Sequence, residues 1–130
     1  MHPRTAAIIV QVTETFGQGA LAVDEMADGS IWVCAEVDLG PGWRPSANTL
    51  SVKLAPSFPD SAPYPWYLTA GTARTDGAPV ERLSGPIELD GRTLLQLSLN
   101  APWGVDSSLA DRMVAVVRWI RRAGSAAVAS

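Results

Sequence analysis

Leu50-Ser51-Val52-Lys53-Leu54-Ala55-Pro56-Ser57-Phe58-Pro59-Asp60-Ser61-Ala62-Pro63-Tyr64-Pro65-Trp66-Tyr67-Leu68 is the stretch whose reading decides the fold. It opens with Leu50, Val52 and Leu54 alternating against Ser51 and Lys53, the period of a strand with one buried face. Four prolines then fall between Pro56 and Pro65. None has an N–H to donate to a ladder, so this segment predicts turns and extended chain. Trp66, Tyr67 and Leu68 restore a short aromatic strand beyond it.

Upstream, Asp28-Gly29-Ser30 is a turn signal, and after it Ile31, Val33, Ala35 and Val37 alternate with Trp32, Cys34 and Glu36. That predicts a strand, broken by Gly40-Pro41-Gly42 and resumed from Asn48 to Leu54 as an antiparallel hairpin with a long connection. Before it, Thr5 to Phe16 places Ile8, Ile9, Val12 and Phe16 on one helical face, with Gly17 to Gly19 as the stop. The same run is rich in β-branched residues, and Ile8, Val10 and Val12 also satisfy a strand's alternation.

Downstream, Gly71 to Gly85 is polar and reads as loop, anchored by Val80 and Leu83. Ile87-Glu88-Leu89, Asp90-Gly91 and Thr93 to Leu99 predict a two-residue hairpin, because Asp-Gly tolerates the positive φ such turns require. A closing helix carries Leu109, Met113, Val116, Val117 and Ile120 as its buried stripe, with Trp119 at the core edge beside Arg112. Asp106, Ser107 or Ser108 caps it, Asp111 favours its positive end, and Gly124 is the expected stop, leaving residues 125–130 frayed. Arg112, Arg118, Arg121 and Arg122 cluster near the C-terminus and read as a cationic last helical turn that complements the helix dipole and keeps a surface wet, a local basic patch for nucleic acid being the alternative.

These elements give a single α+β domain over residues 1–130, comprising an N-terminal helix, a four-stranded antiparallel meander, a Pro-rich crossing and a C-terminal helix. The formal net charge of −3 leaves no broad basic field, so nucleic acid is not an expected partner. No apolar run approaches a membrane span or a signal-peptide core, so no membrane partner is expected and a cytoplasmic location follows. Cys34 is the only cysteine and His2 the only histidine, which removes a disulfide, a multi-cysteine metal site and a preorganised histidine-based catalytic arrangement. Asp24, Glu25 and Asp28 fit no calcium-loop spacing, and Gly17-Gln18-Gly19 follows a helix instead of opening one, so no metal or cofactor is expected. Lys53 stands alone against nine arginines, as a GC-rich coding bias produces.

Three stretches resemble the ubiquitin-conjugating superfamily, including its bacterial and catalytically inactive branches. They are Ile31-Trp32-Val33; Leu50 to Leu54 running into Phe58-Pro59 and Tyr64-Pro65; and Gln96-Leu97-Ser98 followed by Pro102-Trp103 before the last helix. Active members carry a nucleophilic cysteine between the Tyr-Pro motif and that tryptophan, usually after a His-Pro-Asn element. Here Gly71 to Trp103 holds neither cysteine nor histidine, and Asp90-Gly91-Arg92-Thr93-Leu94 occupies the corresponding stretch.

The resemblance therefore implies a non-catalytic binding module for a ubiquitin-like carrier, an activating enzyme or a target, in a bacterial modification or defence system. Its implied contact surfaces are the Trp43 loop, the Pro-rich crossing or the first helix. Trp43 and Arg44 at a Gly/Pro-flanked loop tip, Tyr64 and Trp66 beside the proline run, and Trp103 are the partner-binding candidates. One alternative is a thioester-forming enzyme using Cys34, the sole candidate nucleophile, although its mid-strand position reads as a buried and inert thiol. Another is a dimeric adaptor or secretion-chaperone-like protein, paired through a sheet face or the last helix. Sequence leaves the oligomeric state open.

Overall fold

The computed structural model describes residues 3–129 of the chain. Helix α1 (Pro3–Phe16) opens the domain with proline at its first position, where a missing N–H costs nothing. Val12 is fully buried while Ile8, Ile9 and Phe16 pack on the same core, and Val10 is 55% exposed. The helical face is therefore the one used, and the strand reading of this run is excluded.

Eight strands follow: β1 (Leu21–Glu25), β2 (Ile31–Asp38), β3 (Trp43–Arg44), β4 (Ala47–Leu54), β5 (Trp66–Thr69), β6 (Ala73–Arg74), β7 (Leu83–Leu89) and β8 (Arg92–Leu97). Helix α2 (Leu109–Ala129) closes the chain. Six strands make one antiparallel sheet in the order β1-β2-β4-β5-β8-β7, and β3 pairs with β6 beside it. The expected four-stranded meander is thus corrected to six strands. β1 escaped notice because it is an exposed edge with charged residues at Asp24 and Glu25, which erase the alternation a strand normally shows. The supposed loop from Gly71 to Gly85 contains β6 and the start of β7, with Val80 and Leu83 packed on the core as anticipated.

Both helices serve one face of the sheet. Val12 of α1 and Leu109, Met113, Val116, Val117 and Ile120 of α2 join Val33, Leu50, Val52 and Leu68 in a single apolar cluster. Burying each such side chain contributes roughly 1.5–3 kcal/mol, which is why the alternation in β2 and β4 fixes their register so firmly. At the far end of that ladder Asn48 closes a corner. Its Oδ1 accepts from the backbone of Thr49 and Thr69 at 2.9 and 3.1 Å, and its Nδ2 donates to Thr72 Oγ1 at 2.8 Å.

Ser108 caps α2, its Oγ accepting from the Asp111 backbone N–H at 3.3 Å. Gly124 does not end the helix, which continues to Ala129, so residues 125–129 are helical instead of frayed and Ser130 lies outside the described residues. The glycine is there for contact. Trp43 is buried at 3% exposure, donates from Nε1 to the Ile120 carbonyl at 2.7 Å, and lies against Gly124. A side chain on Gly42 would run into the Gly124 backbone, so both glycines are needed for the loop to approach the helix so closely. With α2 extended, no arginine lies in its last turn, and the dipole account of Arg118, Arg121 and Arg122 fails.

Gly124→Ala sets two effects against each other. Alanine is the better helix former by about 1 kcal/mol, but its Cβ would overlap the Trp43 indole, and overpacking costs about 1–3 kcal/mol. We expect net destabilisation, seen as a lower urea midpoint at unchanged slope; a higher midpoint would contradict the contact.

Candidate functional site

The Trp32 end of the sheet's outer face, away from the helices, is covered by the sheet's own hairpin. Asp90 at φ 52° and Gly91 at φ 74° form the tight turn between β7 and β8. A register shift between Ser84 and Ile87 marks a bulge, where Gly85 adopts φ 124° and a Cβ would crowd the Leu94 carbonyl. A bulge bends the strand that carries it, and the tip beyond it curls back over the outer face.

What it meets there is Trp32. This indole is 0% exposed although it points away from the main core, and it packs with Tyr67 at a ring separation of 5.5 Å. Its Nε1 donates to Asp90 Oδ2 at 2.9 Å, and Lys53 Nζ pairs with the same oxygen at 2.8 Å. The Arg92 guanidinium stacks over the ring at 4.7 Å, a cation–π geometry. Arg92 also reaches Asp24 Oδ2 at 3.3 Å and Cys34 Sγ at 3.5 Å. One hairpin tip thus ties down β1, β2 and β4. The Lys53 hydrogen bond, followed by that from Trp32, holds the Asp90 carboxyl below the usual aspartate range, and Asp90 in turn raises Lys53.

Cys34 therefore differs from its sequence reading. Its thiol stands on the outer face, half-buried, with a guanidinium brought to it from 58 residues away. No spacing in the chain announces that neighbour.

A second feature lies against the first helix. Residues of α1, the Pro59-Asp60 corner and the loop from Trp103 to Ser107 enclose a groove of about 430 Å³. It adjoins a cavity of about 390 Å³ that shares Pro59 and Asp60. Trp103 is the strut: its Nε1 donates to the Pro59 carbonyl at 2.8 Å, its ring lies 5.8 Å from Phe58, and the Arg112 guanidinium sits 5.8 Å from the ring centre. Ala7, Ile8 and Gln11 form the α1 wall, while Val105 is fully exposed at the rim.

The expected partner-binding residues are not gathered in one place. Trp43 is not at an exposed tip and Trp66, 1% exposed, belongs to the core, so neither presents a surface. Both corrections have one cause: the helix or the sheet supplies, from far along the chain, the apolar surroundings that the local sequence lacks. Arg44 is exposed on β3 and Tyr64 is 42% exposed on the Pro-rich crossing. Trp103 is half-buried and lines the groove. His2 lies outside the described residues. Among the described residues no three metal-ligating side chains converge, and no helix is long and apolar enough to cross a membrane. The groove draws its walls from the first helix and the Pro-rich crossing, two of the surfaces the resemblance implies; sequence reasoning missed Val105, which carries no motif, and the Lys53–Asp90–Trp32 cluster, whose members are widely separated in the chain.

The Asp90 network carries a pH signature. A carboxyl held below its ordinary value stabilises the fold above that value, and the contribution is lost as pH falls through the lowered one. Stability of the native chain should therefore drop more steeply below about pH 4 than that of Asp90→Asn, read as urea midpoints across pH. Parallel curves for the two proteins would rule out the network as an acid-sensitive element. The chain matches no protein-family model, no curated protein and no solved structure.

Proposed function

We propose that this chain is a non-catalytic binding module of the ubiquitin-conjugating type, engaging a ubiquitin-like carrier, its activating enzyme or a target in a bacterial modification or defence system. The observation that carries the reading is the fate of the stretch from Asp90 to Leu94. In active relatives the corresponding segment bears the acyl-accepting thiol; here it is a tight hairpin spent on packing, with Leu94 paired to Thr69 and Ile87 within the sheet. Apolar surface is left instead at the groove, where Val105 is exposed beside the α1 wall, as a docking function requires.

The test mixes the full chain with a bacterial activating enzyme and its ubiquitin-like carrier. The expected result is binding without a reductant-sensitive mass increase. Val105→Asp should weaken that binding about tenfold, as removal of an interface anchor does, with an unchanged melting temperature because the side chain is free of the core. A covalent adduct, or equal affinity of the variant, would count against the proposal.

A second reading is favoured by one contact, that of Arg92 with the Cys34 sulfur. A guanidinium beside a half-buried thiol is a setting in which cysteine nucleophiles work. In this reading the Cys34 sulfur displaces the activating enzyme's thiol from the carrier's acyl carbon, one thioester forming as the other breaks. The same charging reaction decides it: an adduct lost in Cys34→Ser supports transfer, and its absence in the native chain removes this reading.

A further inference from the structure

We infer that the outward side of α2 is a second docking surface, for an acidic polypeptide segment with apolar side chains on both sides of its acidic run. Arg118, Arg121 and Arg122 lie about two to three turns before the end of the helix, too far for its dipole to account for them. Arg121 donates through Nε to the Asp38 carbonyl at 2.8 Å. Arg118 and Arg122 are exposed, and among the described residues neither enters an ion pair. In a chain of net charge −3 these guanidinium groups concentrate positive charge on one helix side.

The stripe is flanked by two apolar clefts. One, about 190 Å³, is walled by Leu99, Ala101, Ala115, Val116 and Trp119, with Arg112 at its rim. The other, about 390 Å³, lies between the Gly40-Pro41-Gly42 turn and Val128, with Arg121 at its rim. Helical spacing puts Arg118 next to Ala115 and Arg122 next to Trp119, three residues on in each case, so the positive charge borders the first cleft directly. Ser125 lies four residues after Arg121 and lines the second cleft with it.

Guanidinium groups recognise carboxylates by paired, directional hydrogen bonds, and an aliphatic side chain fits each cleft. Asp111, one turn before Ala115, repels acid there and confines the acidic run to the Arg118–Arg122 end. This surface shares no lining residue with the groove at α1, and Arg112, at the rim of the first cleft and over the Trp103 ring, marks the border between them.

The experiment is an array of synthetic peptides combining acidic, basic and apolar blocks, probed with the 130-residue chain. Peptides with an acidic run between apolar residues should be retained over their lysine-substituted counterparts. Retention should fall about tenfold in the doubly charge-reversed R118E/R122E and also in Ala115→Leu, which fills the first cleft. Val105→Asp should leave it unchanged, separating this surface from the groove. The exposed arginines leave the fold intact, which a thermal melt verifies. No selectivity for the acidic peptides, equal retention by R118E/R122E, or tighter retention of an RNA or DNA oligonucleotide by the same arginines would overturn the inference.

Discussion

A sheet with two apolar faces and helices for only one of them is the constraint on which this structure turns. β2 sends Val33 and Ala35 toward the helices and Trp32 the other way, and an indole left in water would forfeit much of its burial. The domain meets the difficulty with its own hairpin. Gly85 and Pro86 break the regular ladder of β7, the strands bend, and the Asp-Gly turn brings one carboxylate and one guanidinium over the ring. Every polar group that caps Trp32 is itself paired, as it must be in a partly desolvated place.

The functional proposal follows from how this segment is used. An acyl-transfer site needs a thiol free to reach its substrate, whereas the stretch from Asp90 to Leu94 is committed to holding three strands together. The packing interaction of this segment is the one that ties down β1, β2 and β4. The two docking surfaces proposed above lie elsewhere, at the Trp103 strut and along α2.

Trp43 makes a related point about glycine. Gly42 and Gly124 are distant in sequence and each reads locally as a break, yet they meet face to face so that an indole can enter between loop and helix. α2 runs on past Gly124 through that contact to Ala129, which places the arginines away from the helix end. Their charge is thereby left facing outward between two clefts.

Much of the architecture was legible in the residues alone. Period-two alternation gave β2, β4 and β8, the proline run gave the crossing, Asp90-Gly91 gave its turn, and the buried stripe from Leu109 to Ile120 gave α2, because each is a local property of backbone and side-chain spacing. The edge strand β1, the curl of the last hairpin, the burial of Trp43 and Trp66, and the meeting of Cys34 with Arg92 were not. They depend on pairings between residues tens of positions apart, where no period survives to be read, and only the closing of the chain on itself decides them.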